Sequence, residues 1–376
     1  MVRASIVVGE PVRPVPAVPH RWHVVGSTAH PLASRLRRDG GEAGTAVLLG
    51  SRFRPADNAL LLEGVASALR HGGPLVLAHL GAGGGSLLRV AALEDPRLAV
   101  RVVELPAVPS REVADLAVAA VDSVDPDLLV DERGRIARPA GQAVELPPRR
   151  PLAGTGVLVT GGARGLGLRA ALVLAYVHGW CPVVVDAAWP DARAEERLAS
   201  VGAVVVRADV TDRGELSRAL ADVGVPIGAV VHCAGTLAAG AVRRCTPADL
   251  ARAQAAKVTG LRTVLDVLPA DRLRHLVVFG SITARDPHRQ MGAYGLANEL
   301  LRRAALREAA RLPGCSTVVA EWSLWSGAGM AHEVGAVAQA RRMGMTPISL
   351  RAGMDALLRL LHWPSGRDHA AAIRLD

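Results

Sequence analysis

The stretch VLVTGGARGLGLRAALVLA, residues 157–175, sets the strongest constraint on the fold. A short apolar run ends at Thr160, glycines stand at 161, 162, 165 and 167, and a helical apolar period follows. A strand that turns through glycines into a helix returns the chain toward a second, parallel strand, so the segment belongs to an α/β sheet with crossover helices. Glycine suits the loop because a Cβ would hold a phosphate away from the N–H groups that open the helix. The next apolar run, CPVVVD, ends on Asp186, nineteen residues after Gly167. An acidic side chain there can accept hydrogen bonds from an adenosine ribose.

The same alternation fills the chain. In the second half strands are predicted at 156–160, 181–186, 203–209, 228–235, 275–281 and 315–323, and 370–375 could form an edge strand. One helix is predicted from Thr246 as N-cap, with Pro247 first and Asp249 third. In the first half strands are predicted at 22–26, 45–50, 74–80 and 99–105, and helices at 30–38, 57–71 and 110–122. A second glycine cluster, GAGGGS at 81–86, lacks the nucleotide-loop spacing and reads as a plain loop. The Pro- and Arg-rich ELPPRRPLAGTG separates the halves. The expected fold class is α/β, with two Rossmann-like doubly wound parallel sheets, the first degenerate and noncatalytic. Residues 1–150 would be structural and 151–376 catalytic.

Composition narrows the function. The net charge is +9, yet the arginines are scattered and no basic run interleaves with aromatics, so only charge favours nucleic acid. An acidic carrier protein or a nucleotide phosphate also suits a basic chain. Cys181, Cys233, Cys245 and Cys315 have neither CxxC spacing nor a metal pattern with histidine, so no metal is expected. No apolar run reaches membrane-spanning length, and a cytoplasmic location is expected.

Nucleotide contacts are expected from Thr160, Gly161, Gly162, Arg164, Gly165, Leu166 and Gly167, and from Asp186, Asp209, Val210, Ala234 and Gly235. Asp186 would repel a ribose 2′-phosphate and favours NADH, whereas the Arg164 guanidinium could pair with that phosphate and favours NADPH. Both cofactors stay open, with a lean to NADPH. Asp209 could equally cap a helix.

Tyr294 and Asn298 lie four apart on a predicted helix and so share a face. Tyr294 is one of two tyrosines and Asn298 one of two asparagines, while Lys257 is the only lysine. Reduction of a ketone builds alkoxide charge and needs a proton donor. A tyrosine hydroxyl has a pKa of about 10, and a nearby ammonium would lower it toward working pH. Ser281 could hydrogen-bond the developing oxyanion. Each residue alone has an ordinary structural reading: half-buried tyrosine, solvated lysine, capping serine.

The motifs TGGARGLG, HCAG at 232–235, Ser281 and Tyr294 thirteen residues later resemble the short-chain dehydrogenase/reductase family. Asn298 in place of the lysine usual there, with Lys257 on the preceding helix, resembles the ketoreductases of polyketide synthases. EWSLWSGAGM and RRMGMTPISLRAGMDALLRLL are similar to the iterative, enediyne-type members. The resemblance implies Tyr294 as acid, Ser281 on the carbonyl, Lys257 on the nicotinamide ribose and Asn298 in a proton relay. It implies a β-ketoacyl substrate on an acyl carrier protein, or a free polyketide ketone, and a monomer is plausible. The segment 326–345 resembles a lid, with Gly327 and Gly329 as hinges. The family's stereochemical markers are missing: LAA stands at 237–239, and Asp286 follows Ser281 by five. DAAW at 186–189 replaces the usual Arg-rich turn. His232 is expected to be structural, Asp286 and His288 are not promoted to a dyad, and Trp322 and Trp325 are expected to pack the cofactor-side wall. A nonreducing or epimerising relative remains the alternative. No carrier-protein, ketosynthase or acyltransferase motif is present, so a discrete enzyme or an excised domain is expected.

Overall fold

The computed structural model describes residues 2–13, 20–36, 42–329, 337, 338, 342, 346–366 and 369–376. Most of the expected lid therefore lies outside the described residues, as does the end of the helix predicted at 30–38. In chain order the strands are β1 (Ala4–Pro11), β2 (His20–Gly26), β3 (Glu42–Leu49), β4 (Leu75–His79), β5 (Val100–Glu104), β6 (Asp127–Val130), β7 (Ile136–Ala143), β8 (Gly156–Thr160), β9 (Cys181–Asp186), β10 (Val204–Arg207), β11 (Ile227–His232), β12 (His275–Ser281) and β13 (Ser316–Trp322). Two short strands, β14 (Trp325–Ser326) and β15 (Ile348–Ser349), pair with each other, and β16 (Ala371–Leu375) ends the series.

The α/β class holds, but the two expected sheets are one. A single 14-stranded sheet runs β10-β9-β8-β11-β12-β13-β16-β1-β7-β6-β5-β4-β3-β2. The second-half strands are parallel, and so are β2 to β6 in the first half. The antiparallel strands β1 and β7 weld the halves: β1 pairs β16 on one side and β7 on the other, and β7 pairs β6. The run at 370–375 is thus an interior strand, because β1 covers the edge that the sequence left open. Neither β1 nor β7 is conspicuous in sequence. The β7 segment IARPAGQA carries Pro139 and Gly141, which ordinarily argue against an interior strand.

Helices α1 (Ala33–Leu36), α2 (Asp57–His71), α3 (Gly85–Glu94), α4 (Arg111–Val121), α5 (Gly165–His178), α6 (Ala192–Ala199), α7 (Arg213–Ala221), α8 (Pro247–Gln254), α9 (Gly260–Val267) and α10 (Gly292–Glu308) cover the faces. The predicted N-cap Thr246 of α8 is present, and the structure completes it as a capping box, Thr246 and Asp249 each accepting the other's backbone N–H. One apolar core contains residues of both halves, with Leu87, Leu88 and Val90 of α3 beside Val242, Ala293 and Leu296. α10 is buried on every face, including Asn298, Glu299 and Arg302.

Buried charges on α10 find partners on both sides of the weld. Arg303 forks onto Glu104 of β5 at 2.7 and 2.8 Å, and Glu299 meets Arg303 Nε at 3.4 Å. Arg302 and Arg285 share Glu321 of β13 at 3.0 and 2.7 Å. Burial alone would raise the Glu299 carboxyl, but Arg303, Arg302 and Arg89 hold it well below the ordinary range. A cavity of 760 Å³ runs along this network over β1 and β7, and none of the four catalytic candidates lines it. No helix among the described residues is long and apolar enough to cross a membrane.

Burial holds His30, His79, His232 and His275 neutral, each with its pKa lowered to about 4. These folded values lie below the unfolded value near 6.5. Their contribution is therefore fully present above pH 6.5 and is lost as pH falls toward 4, where the unfolded chain takes up protons that the folded chain refuses. In urea denaturation these histidines should cease to affect stability above pH 7. Below pH 6.5 each of these histidines should remove about 1.4 kcal/mol per pH unit.

Candidate active site

The glycine loop leaves β8 at the point where the order β9-β8-β11 reverses direction, the usual crevice of a doubly wound sheet. Gly161 takes a left-handed φ of +64°, and a Cβ there would lie 3.0 Å from the Ala234 backbone. A Cβ at Gly167 would drive into the carbonyl of Gly161. Arg164 is exposed at the N-cap of α5 in extended conformation, with no side-chain cap and no acidic residue in the first turn. The first N–H groups of α5 are thus left for an anion, which fits a dinucleotide pyrophosphate. The other glycine loop differs. GAGGGS opens α3, and the Glu299 carboxylate already accepts from Ser86 N at 2.9 Å, so the chain supplies its own anion there.

The four catalytic candidates arrive from three elements. Ser281 ends β12, while Tyr294 and Asn298 share α10. Lys257 sits on a single π-turn, Ala255–Thr259, between α8 and α9. A π-turn has no sequence signature, and it rotates the lysine inward from an otherwise regular helical register. Lys257 is 3 % exposed, donates from Nζ to the Phe279 carbonyl at 3.2 Å and stands 5.7 Å from the centroid of the Tyr294 ring. Gly235 makes room for it, since a Cβ there would lie 2.8 Å from Lys257 Cε. Burial lowers the Lys257 pKa to about 8.

Tyr294 departs from expectation. Its phenol lies above the ordinary value, not below it, because burial outweighs the neighbouring Asn298 and Ser281 side chains. Lys257 spends a hydrogen bond on Phe279 and lies over the ring. Ser281 Oγ accepts from Thr283 N at 3.3 Å and from Thr283 Oγ1 at 3.0 Å, which leaves its own proton to give away. Asn298 Nδ2 donates to the Tyr294 carbonyl at 2.8 Å, and its buried Oδ1 has no protein partner.

Sequence reasoning missed the brace behind Lys257. His232 is fully buried, with Nε2 3.0 Å from the Lys257 carbonyl and Nδ1 2.9 Å from Thr160 Oγ1. A carbonyl only accepts, so Nε2 carries the proton. The neutral ring then accepts at Nδ1 from the Thr160 hydroxyl. Thr160 Oγ1 in turn accepts from Ala234 N at 3.2 Å. One ring thereby joins the glycine-loop strand, the HCAG turn and the π-turn. The expected structural role of His232 acquires a definite form.

The remaining predicted residues are placed as follows. Asp186 accepts from Ala163 N and Ala188 N, both at 3.2 Å, and so braces the glycine loop and the next turn. Exposed Asp209 accepts from Thr211 N and Oγ1, both at 2.8 Å, while the N-cap of α7 is Asp212. Val210 and Ala234 are buried, Gly162 lies in the loop, and Leu166 lies in the first turn of α5. A Cβ on Gly165 would point toward Gly329, which like Gly327 has a positive φ. Asp286 pairs with Arg374 at 2.8 Å instead of with His288. Trp322 and Trp325 are buried edge-to-face at 4.8 Å, with Trp322 also against Phe279. Among the described residues no group of three or more His, Cys, Asp or Glu side chains is placed to hold a metal.

Residues 155–327 match the KR domain family model. The chain is 34% identical over 289 residues to polyketide synthase GfsA of Streptomyces halstedii, an alignment that covers 73% of this chain and 4% of that protein. Erythronolide synthase EryA2 of Saccharopolyspora erythraea is 32% identical over 178 residues, 45% of this chain and 5% of that protein. The chain therefore spans only a small fraction of these curated relatives. Among solved structures, the PlmKR1 ketoreductase from the first module of phoslactomycin biosynthesis in Streptomyces sp. HK803 has a TM-score of 0.84 at 24% identity, over 100% of this chain and 93% of that one. An A-type ketoreductase from a modular polyketide synthase has a TM-score of 0.78 at 23% identity, over 100% and 91%. These likenesses show the same fold.

His232→Leu would remove one buried hydrogen-bond partner from the Thr160 hydroxyl and one from the Lys257 carbonyl, which keep Ala234 N and Gly260 N. Urea denaturation should show a loss of about 1–3 kcal/mol.

Proposed function

We propose that this chain, which carries a ketoreductase domain of the polyketide-synthase type, reduces a ketone of a polyketide intermediate to a secondary alcohol with NAD(P)H. The observation that carries this reading is the convergence of Tyr294, Ser281, Lys257 and Asn298 beside a glycine-loop helix whose N-terminus has no side-chain cap. When bound, the reduced nicotinamide supplies the hydride.

The chain's own residues manage the oxygen. Ser281, accepting from Thr283, turns its proton toward the ketone oxygen and stabilises negative charge there. Tyr294, held above its ordinary pKa by burial, keeps its proton at neutral pH and is ready to donate it. The phenolate left behind faces the Lys257 ammonium. The unpaired Asn298 Oδ1 can hold a water through which the proton is restored.

NADPH is the favoured cofactor. Both Asp186 oxygens already accept backbone N–H groups, and exposed Arg207 lies directly opposite Asp186 in the sheet, with exposed Arg164 in the loop. Two cations near a partly engaged carboxylate suit a 2′-phosphate. The substrate class is a β-ketoacyl group, carrier-bound or free, and a basic chain suits an acidic carrier protein. β1 and β7 occupy the flank of β16, and we take the chain to act as a monomer.

Tyr294→Phe should lower kcat on a β-ketoacyl thioester by about 10²–10⁴-fold with cofactor binding retained, read as loss of NADPH absorbance. Wild-type protein that binds NADPH and reduces no ketone would refute the proposal. In the wild type, kcat/KM should fall as pH rises through about 8, where Lys257 loses its charge. In a cofactor titration, Arg207→Ala should weaken NADPH about tenfold and leave NADH unchanged.

A further inference from the structure

The first half reaches into the substrate cleft through one carboxylate. Glu94, at the end of α3, accepts from Val242 N at 2.8 Å through Oε2 and from Gln290 N at 2.7 Å through Oε1. Val242 lies on the segment that leaves β11 through Gly235, the residue packed against Lys257. Gln290 lies on the segment that leaves Ser281 and delivers Tyr294. These two segments also meet each other, through Gly240 N to the Gln290 carbonyl at 2.8 Å and a bridge between Gly240 and Met291.

Three further observations show that the junction is built. Gln290 has a φ of +65°, the only positive value at a non-glycine position among the described residues. A left-handed glutamine persists only where its surroundings hold it. Gly292 sits where a Cβ would lie 2.5 Å from Val242 Cγ2 and 3.0 Å from Leu87 Cδ1, so α10 is pressed against both the β11 segment and α3. α3 is also pinned at its start, where Ser86 N meets Glu299, one residue beyond Asn298. A helix of the first half, held at both ends, thus spans α10 and ends in a two-pronged acceptor.

The geometry points to Glu94 as a positioning residue that sets the separation of the two segments flanking the substrate ketone, and so the pose in which the ketone is reduced. This rests on the ketoreductase reading. Glu94 touches neither the tetrad nor the glycine loop, so its effect should fall on substrate fit and product configuration and spare cofactor binding.

Amide hydrogen exchange, NADPH binding, and reduction of an α-methyl-β-ketoacyl thioester test it on the full chain. In Glu94→Ala the amides of Val242 and Gln290 should exchange at least tenfold faster, while Ser86 stays protected. The Kd for NADPH should stay within twofold, KM for the thioester should rise at least fivefold, and the minor alcohol diastereomer should increase at least threefold. Glu94→Gln keeps the side-chain shape and one acceptor oxygen, and carries the test if the alanine variant unfolds. It should deprotect one of the two amides and shift the diastereomer ratio in the same direction. Unchanged exchange at both amides overturns the proposal. So does faster exchange with wild-type KM and diastereomer ratio, which would leave Glu94 a purely structural clamp. If the wild type reduces no ketone, the ketoreductase reading fails by itself, and exchange without substrate still decides whether the clamp exists.

Discussion

The burial of α10 governs this molecule. A helix enclosed on every face cannot keep Glu299, Arg302 and Arg303 by solvating them, since an unpaired charge in that environment costs several kcal/mol. Each therefore needs a partner from another element: Glu321 on β13, Glu104 on β5, the Ser86 amide at the start of α3. Two of those partners belong to the first half. The same helix carries Tyr294 and Asn298, so the requirement that joins the halves also fixes the proposed proton donor.

The weld follows from that demand. Once α3 and β5 are held against α10, the gap in the sheet between β16 and β6 is filled by β1 and β7, and two sheets become one. β1 is the first strand and β16 the last, so the chain ends lie side by side in the middle of the sheet. The candidate active site lies away from this seam, at the strand-order reversal, where loops of a doubly wound sheet diverge. His232 ties the floor of that site to the π-turn that aims Lys257.

Legibility in the sequence tracked the strength of the local signal. Continuous apolar runs such as GVLVT, CPVVVD and HLVVFGS mark strands buried on both faces, and their predicted bounds match the structure. β6 and β7 lack that run, and Pro139 hides β7 further. α3 was hidden by the glycines before it: they read as a loop, yet three of them, Gly81, Gly83 and Gly84, take positive φ to bring the helix start against Glu299. The direction of the Tyr294 shift was misread for a related reason. Proximity to a lysine is visible in the motif order, whereas desolvation depends on what packs around the ring, and here it is the larger effect.

The sequence by itself determined the parallel α/β unit, the glycine loop and the identity of the four candidate residues that the fold brings together. Hydrophobic period, glycine spacing and the rarity of lysine, tyrosine and asparagine are properties of the chain written in order. Only the tertiary structure decided that the halves share one sheet, that Lys257 sits buried on a π-turn, that His232 braces it, and that Glu94 bridges the Val242 and Gln290 segments. Those features depend on long-range pairings of single buried polar groups, which leave no periodic trace because each is satisfied only once by a partner far away in the chain.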